Sequence, residues 1–302
     1  SKNDERVALE AIDKHPEMIL RRSNFSAWRI NWKDKAQNII DLAAELNLDL
    51  SSVVFIDDSP AERSRVRHAL PAVIVPEWPN DVFLYANYLS ELPFFDRVTI
   101  TPEDQQRTSM YIADPKRTET KGSFQSIQDW LESLHIEASV EELSRSNLAR
   151  AAQLFNKTNQ MNLSTRRLAE AELLSWSIAA GHQVYVVRVA DRFGDYGLTG
   201  ILGLASRDGY MEITDYLLSC RVMGRGIEEL MLAVAIEHAR SAGVIEIKAR
   251  HIPTARNAPC LSFFQNGSGF RSEDSHSFTW RVSDTYPMPA HISVNIPGTA
   301  TR

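Results

Sequence analysis

The chain has 302 residues, a formal net charge of −6 and 43% hydrophobic residues. This length predicts two domains with sizeable cores, and the negative charge argues against nucleic acid as the main partner. No apolar run approaches the roughly 20 residues of a membrane span, so we expect no membrane partner. The two cysteines, Cys220 and Cys260, and a polar first segment unlike a signal peptide predict a reducing, cytoplasmic location.

Helix and strand signals alternate through the first hundred residues. Val53–Ile56 is a short continuous apolar run, typical of a strand buried on both faces of a parallel sheet. Helices are predicted on either side of it, one over Asp34–Leu46 and one that starts at Ser59-Pro60. The other predicted elements are a helix within residues 1–14, capped by Asn3 or Asp4, and a strand at Ala72–Pro76.

Two acidic residues, Asp57 and Asp58, directly follow the apolar run, at the edge where open α/β sheets bind their ligands. Adjacent carboxylates repel each other, and a bound Mg²⁺ would offset that repulsion. The alternative is a solvated turn in which Asp58 caps the following helix.

Three stretches of this part resemble the later motifs of the haloacid dehalogenase (HAD) phosphatase superfamily. They are Ser1-Lys2-Asn3-Asp4, the run WKDKAQN that contains Lys35, and FIDDSPAE. The resemblance implies that Ser1 and Lys35 bind phosphate and that Asp57 and Asp58 bind Mg²⁺.

The HAD nucleophile lies in a D-x-D-x-T motif that this sequence does not contain, on a strand that would precede Ser1. We therefore expect residues 1–98 to be a HAD-like domain that lacks its N-terminal nucleophile strand. Such a domain cannot hydrolyse phosphate alone, because the aspartyl-phosphate mechanism needs that carboxylate. We expect the sequence to be the C-terminal part of a longer protein, or a truncated form of one.

The second half of the chain carries its own strand and helix signals. Residues 99–122 are polar and predict a linker, residues 123–283 predict the second domain, and the proline-rich 284–302 predict a trailing tail. Residues 184–219 contain three strand patterns separated by turns and predict an antiparallel meander. Predicted around the meander are helices at Ser126–Leu134, Asn147–Phe155 and within NAPCLSFFQNGSGF, and strands at His135–Val140, Val244–Ala249 and Ser277–Val282.

A glycine-containing loop follows the meander. The strand ends in Cys220, and Arg221-Val222-Met223-Gly224-Arg225-Gly226 then leads into a long apolar-periodic segment from Ile227. Glycines allow close backbone approach, and N–H groups at a helix start favour anions. The spacing R-x-x-G-x-G resembles the pyrophosphate loop of Gcn5-related (GNAT) acyltransferases, which implies that these six residues bind coenzyme A or a phosphopantetheine arm. The alternative is a helix start without a ligand.

A cluster of amide, hydroxyl and cationic side chains occupies the stretch LFNKTNQMNLSTRRL. Such side chains are costly to order unless their hydrogen bonds are used. The stretch predicts either a capped helix–helix turn or a loop that binds a small hydroxylated substrate.

HAD motifs followed by a GNAT-like domain, with the runs NKTNQMN, DRFGDYG and SCRVMGRGIE, resemble the FkbH-like proteins of HAD subfamily IIIC over almost the whole chain. The resemblance implies an α/β protein with a truncated HAD-like Rossmannoid parallel sheet followed by a GNAT-like mixed α/β domain. It also implies an acyltransferase that takes a glyceryl unit from 1,3-bisphosphoglycerate, a small phosphorylated three-carbon donor, and removes the phosphate. The unit is then loaded onto the phosphopantetheine thiol of an acyl carrier protein, in polyketide or related natural-product biosynthesis.

Roles for single residues follow from this resemblance and from their chemistry. Cys220 is the candidate nucleophile, because a thiolate near a helix start can attack an acyl phosphate. One alternative is that Cys220 is a small buried residue at a strand end, and another is that the nucleophile is a cysteine in the segment expected before Ser1. Cys260 is predicted to be core. Asp195 acts as a base or shapes its turn, and His251 is an acid/base group or structural. Candidate contacts to the donor's phosphates and hydroxyls are Lys157, Asn159, Gln160, Asn162, Arg166 and Arg167.

Two other functions are compatible with the same residues. One is an acetyl-CoA-dependent N-acetyltransferase with a degenerate HAD scaffold. The other is a non-catalytic module that docks carrier proteins.

Overall fold

The computed structural model describes residues 1–46, 48–96, 108, 111, 124 and 126–295. The chain divides into two compact units, Ser1–Gly122 and Ser123–Arg302, which are described separately. The linker predicted at 99–122 lies outside the described residues, apart from Thr108 and Tyr111. In the part of the chain that is described, no helix has both the length and the apolar character to cross a bilayer.

Short capped helices dominate the first unit. The cap of the first helix is Asp4, one of the two residues that the sequence predicts. Asp34 and Ser59 stand at predicted helix starts, and each of the three side chains accepts a hydrogen bond from an N–H in the first turn of its helix. The helices are α1 (Glu5–Lys14), α2 (Lys35–Glu45), α3 (Pro60–Ala69) and α4 (Tyr85–Glu91), with 3-10 turns at Arg22–Asn24, Leu50–Ser52, Val82–Leu84 and Pro93–Phe95.

The parallel pairing predicted for this unit is present but short. Val54 and Ile74 form a parallel bridge. Phe55 N–H donates to Ile74 O at 2.8 Å, and Ile74 N–H donates to Val53 O at 3.0 Å. The two predicted strands are therefore adjacent and parallel, although regular pairing is limited to this bridge. A small core packs beside it, formed by Ala36, Ile39, Val66, Leu70 and Val73.

The second unit is built on a mixed sheet. Its strand order is β7-β8-β6-β5-β4-β3-β1-β9, with the short β2 paired to β5 off this path. The strands are β1 (Ile136–Glu142), β2 (Met161–Asn162), β3 (His182–Asp191), β4 (Gly194–Arg207), β5 (Tyr210–Leu218), β6 (Glu246–Arg250), β7 (Arg271–Ser272), β8 (Ser277–Arg281) and β9 (Ile292–Asn295). The helices are α5 (Ile127–Ser133), α6 (Leu148–Lys157), α7 (Glu170–Ser177), α8 (Ile227–Ser241) and α9 (Ala258–Asn266).

The predicted meander is confirmed: β3, β4 and β5 pair antiparallel in sequence order. The strand β5 also pairs in parallel with β6, and α8 packs against β4, β5 and β6. Most of α8 is buried in the main core of this unit. The fold class is therefore mixed α/β, as the sequence predicts.

Two boundaries differ from the sequence expectation. The strand β4 begins at Gly194, so most of the predicted turn DRFGDYG belongs to the hairpin strands. The expectation that 284–302 trail from the domain is wrong at β9, which pairs in parallel with β1 through Ile136 and Ile292. Burial of Ile292 in the core keeps this strand in place. The strand is too short to show a clear periodicity in the sequence.

Candidate functional site

The loop between β5 and α8 is the centre of the candidate site in the second unit. Cys220–Val222 forms a 3-10 turn, and Gly224 and Gly226 both adopt the left-handed conformation, with φ of +71° and +84°. A Cβ on Gly226 would lie 2.8 Å from the ring of His291. Glycine is therefore required at this position for its backbone conformation and for the close contact.

The proline-rich tail supports this loop, which the sequence did not indicate. His291 lies directly before β9, and its Nε2 donates a hydrogen bond to Arg225 O at 2.8 Å. In the sequence, His291 is a lone histidine in a segment without helix or strand periodicity, so nothing there indicated a contact with the loop.

The guanidinium of Arg225 points into the protein. It contacts the Asp191 carboxylate at 3.4 Å and the Tyr196 hydroxyl, and its carbon lies 4.9 Å from the Tyr196 ring centroid. The Asp191 side chain is 1% exposed, and Tyr196 donates to it at 2.9 Å. Arg225 was predicted to bind a cofactor; in this structure its side chain anchors the loop to the β3–β4 hairpin.

A buried carboxyl, Glu228, closes the inner side of the loop. Gly224 N–H donates to Glu228 Oε1 at 2.6 Å, and the residue is 5% exposed. Its second oxygen, Oε2, has no hydrogen-bond partner among the described residues. Burial raises the pKa of Glu228 to about 7. The sequence reading missed this residue, because an acidic residue in a first helical turn is ordinary.

The two thiols lie in different surroundings. Cys220 is half-buried in the 3-10 turn, beside Arg221, whose Nε donates to Ser219 Oγ at 3.2 Å. Val222 is buried and Met223 half-buried. Cys260 is fully buried, and burial raises the pKa of its thiol to about 12, which suits its predicted place in the core.

The predicted substrate loop is held by its own side chains. Asn162 is fully buried; its amide donates to Thr158 O at 3.0 Å, and its oxygen accepts from Thr165 N–H at 2.8 Å. Arg167 donates to Thr158 O at 3.1 Å and to Asn159 Oδ1 at 2.6 Å. The prediction that Asn162 contacts substrate is therefore corrected, since its side chain is buried and orders the turn. Arg167 also helps to order the turn but is exposed, so its contact with substrate stays a prediction. Lys157 and Gln160 are exposed on it.

A buried ion pair beside this loop was also missed. Asp215 on β5 is fully buried and accepts from Arg166 Nε at 2.9 Å, from a second Arg166 nitrogen, and from Ser164 Oγ at 2.8 Å. A Cβ on Gly203 would lie 2.7 Å from Asp215 Oδ2, so glycine makes room for the carboxylate. The available signal was an acidic residue, Asp215, next to the apolar run Tyr216–Leu218 of this strand.

The two predicted acid/base candidates, Asp195 and His251, both make contacts within the fold. Asp195 Oδ1 accepts from Gly197 N–H at 2.6 Å, which shapes the start of β4. His251 is 2% exposed, with Nε2 at 3.3 Å from Asn257 O and Nδ1 at 3.3 Å from His276 Nδ1. Burial lowers the pKa of His251, so the ring is neutral at neutral pH.

The first unit has a separate cleft of about 540 Å³. The four residues predicted to bind phosphate and Mg²⁺ line it together, next to Arg29, Trp78 and Tyr85; they are Ser1, Lys35, Asp57 and Asp58. Lys35 Nζ lies 2.5 Å from Asp57 Oδ2, and these side chains are only 14% and 10% exposed.

Backbone contacts fix the acidic pair at this cleft. Ser59 N–H donates to Asp57 Oδ1 at 3.0 Å. The buried Arg63 donates to the carbonyl oxygens of Asp57 and Asp58 at 2.8 and 3.0 Å. The turn that carries the two carboxylates is therefore held from both sides.

Magnesium fits this cleft in part. Mg²⁺ is usually held by one or two carboxylates together with substrate phosphate and water. Asp57 and the exposed Asp58 can supply the carboxylates. No group of three or more His, Cys, Asp or Glu side chains placed to share a metal occurs among the described residues, so further ligands would have to come from phosphate, water or other segments.

Comparisons with known proteins returned no matching family model and no matching curated protein. Among solved structures, the chain is similar to the N-terminal part of the Bacteroides fragilis protein BF1531, which contains a phosphatase domain and was solved with Mg. The identity is 40% and the TM-score 0.32, over 33% of this chain and 27% of that chain. The chain thus spans about a quarter of the length of that relative.

Other similar structures include acetyltransferases. One is a Vibrio cholerae spermidine N-acetyltransferase solved with CoA and spermine, at 14% identity and a TM-score of 0.37, over 48% of this chain and 96% of that chain. Another is the Escherichia coli ribosomal-protein-S18-alanine N-acetyltransferase, at 11% identity and a TM-score of 0.35, over 49% and 96%.

Proposed function

We propose that this chain is an acyltransferase that loads a glyceryl unit from 1,3-bisphosphoglycerate onto the phosphopantetheine thiol of an acyl carrier protein. The observation that carries the proposal is the loop Cys220–Gly226. It combines two left-handed glycines at the start of a long helix with a half-buried thiol at its first residue. Such a loop suits the phosphate of a pantetheine arm.

The chemistry assigned to this loop is acyl transfer to Cys220 followed by transthioesterification to the pantetheine thiol. The thiolate of Cys220 attacks the acyl-phosphate carbonyl, forming a C–S bond, while the C–O bond to phosphate breaks and inorganic phosphate leaves. The pantetheine thiolate then attacks this thioester and takes the acyl group, which restores the Cys220 thiolate. No net oxidation or reduction occurs.

The transfer leaves the phosphate ester of the three-carbon unit in place, so the first product is a phosphoglyceryl thioester. The cleft of the first unit is assigned to binding this phosphate ester in a separate, later step, in which water cleaves the ester to inorganic phosphate and the glyceryl thioester. Lys35 supplies the cation, and Asp57 and Asp58 are placed to hold Mg²⁺, which neutralises phosphate charge when bound. The present sequence contains no D-x-D-x-T nucleophile, so these residues bind phosphate but do not hydrolyse it alone.

Recognition of the glyceryl hydroxyls is assigned to fewer residues than the sequence suggested. Asn162 is buried and occupied within the protein, whereas Arg167 donates to Thr158 O but is exposed and stays a candidate. Lys157 and Gln160 remain as surface candidates on the same turn, with Asn159 held by Arg167 beside them.

Mass spectrometry of the whole chain with 1,3-bisphosphoglycerate and a holo acyl carrier protein tests the proposal. A glyceryl or phosphoglyceryl adduct on the pantetheine thiol supports it. Acetyl transfer from acetyl-CoA to an amine supports an N-acetyltransferase instead, and carrier binding without an adduct supports a docking module.

Paired cysteine variants locate the nucleophile. Cys220→Ala should abolish a covalent acyl-enzyme adduct, whereas Cys260→Ala should retain it, because Cys260 is buried with a raised thiol pKa. An adduct that survives in Cys220→Ala moves the nucleophile elsewhere.

A further inference from the structure

The inner face of the Cys220–Gly226 loop already holds an anionic group of the protein. Glu228 Oε1 accepts from Gly224 N–H at 2.6 Å, although that N–H is one of the donors a bound phosphate would use. The carboxyl is 5% exposed, and its Oε2 has no partner in the described part of the chain. The loop is therefore partly filled by a buried side chain of its own helix.

A buried charge at this position acts on any ligand phosphate. Repulsion between like charges grows with the ligand's charge, and burial weakens screening by water. The charged and titratable groups around Glu228 are Arg225, Glu229 and Tyr216. The Arg225 guanidinium is engaged with Asp191, and its positive charge offsets part of the effect of burial on the Glu228 carboxyl. Tyr216 donates its hydroxyl to the backbone oxygen of Glu228 at 2.6 Å.

We propose that Glu228 is a selectivity residue of this loop, which disfavours the pyrophosphate of coenzyme A relative to the phosphodiester of a carrier-bound pantetheine. A pyrophosphate brings at least two negative charges to the loop, whereas a phosphodiester brings one. The inference rests on the proposed function, in that it takes the loop to be the pantetheine phosphate site. It adds the reason why a carrier protein, and not free coenzyme A, is the preferred thiol donor.

The selectivity is expected to depend on pH. Burial raises the pKa of Glu228 to about 7. The carboxylate is thus fully charged above about pH 8, and the penalty on pyrophosphate fades as the carboxyl takes up a proton below about pH 6.

Calorimetry with three defined compounds tests this inference on the whole chain. The probes are coenzyme A, the methyl ester of 4′-phosphopantetheine, which carries one phosphodiester charge, and pantetheine, which carries none. At pH 8, Glu228→Gln should tighten coenzyme A binding about tenfold and methyl phosphopantetheine binding much less, because one repulsive charge is removed. Glu229→Gln, which removes a charge in the same helical turn without touching Gly224, should change the ratio little.

The outcomes separate the two proposals. If neither phosphate compound binds more tightly than pantetheine in any variant, the loop is not a phosphate site, and the proposed function and this inference both fail. If phosphate compounds bind but Glu228→Gln leaves their ratio unchanged, this inference alone fails. The unmodified chain gives a further check that needs no variant: a ratio that stays constant between pH 6 and pH 8 also overturns it.

Discussion

The two units of this protein place their charged side chains in opposite ways. In the second unit the charges near the candidate site are buried in the fold, as with Asp215 and Glu228. In the first unit Lys35 and Asp57 pair with each other in the wall of a cleft, where 14% and 10% of their side chains stay exposed. A buried charge must be satisfied for the fold to be stable, whereas a cleft charge stays within reach of a ligand. Changes in the second unit should therefore affect stability first, and changes in the first unit should affect ligand binding first.

The largest effect is expected for Asp215→Ala. It leaves Arg166 without its buried partner and should destabilise the second unit by about 3 kcal/mol. Amide hydrogen exchange of β4 and β5, followed by mass spectrometry, measures this locally in a chain with two units. The control is Arg207→Ala, which breaks the exposed pair of Arg207 and Glu212 on the same hairpin and should cost less than about 1 kcal/mol. Equal losses would show that burial of Asp215 is unimportant.

Gly226→Ala should follow, at about 2–3 kcal/mol. Left-handed backbone costs a non-glycine residue about 1–2 kcal/mol, and the contact with His291 at 2.8 Å adds overpacking. Gly224→Ala is the matched control, because it has the same left-handed backbone and nothing within 4 Å of the added Cβ. Thermal unfolding of the two variants compares them; identical melting temperatures would contradict the role of His291.

A smaller, pH-dependent effect is expected for Glu228→Gln. Folding raises the pKa of this carboxyl from its ordinary 4.5 to about 7, so the folded state binds the proton more tightly than the unfolded state. Stability should fall as pH rises from about 4.5 to 7 and then stay level. The variant should lose this dependence and be about 2 kcal/mol more stable than the native chain at pH 8. Melting curves from pH 5 to pH 8 measure it, and parallel curves for the two proteins would refute it.

The smallest effect on stability is expected in the cleft of the first unit. Lys35→Met should cost about 1 kcal/mol of stability but weaken binding of inorganic phosphate about tenfold, since it removes the charged donor beside Asp57. Phosphorus NMR titration in the presence of Mg²⁺ measures the affinity. Lys2→Met, which breaks the more exposed pair with Glu62, is the control and should leave phosphate binding unchanged. If Lys35→Met lost much stability and kept its phosphate affinity, the expectation that changes in the first unit affect ligand binding before stability would be wrong.

Several features were determined by the sequence alone. The helix starts at Asp34 and Ser59, the meander of β3 to β5, and the glycine loop before α8 all appear where the sequence predicts them. Each of these features depends on residues a few positions apart or on the two-residue periodicity of a strand, and both can be recognised from the sequence.

The tertiary structure alone decided which polar groups are occupied. Arg166 meets Asp215 across 49 residues of sequence, Arg225 meets Asp191 across 34, and His291 reaches the loop from the tail. In the sequence, Asn162 belongs to a polar cluster that predicts contact with substrate, yet in the structure it is fully buried. Sequence reports which donors and acceptors exist, but their pairing depends on which strands become neighbours, and that is fixed only when the whole sheet buries its apolar faces.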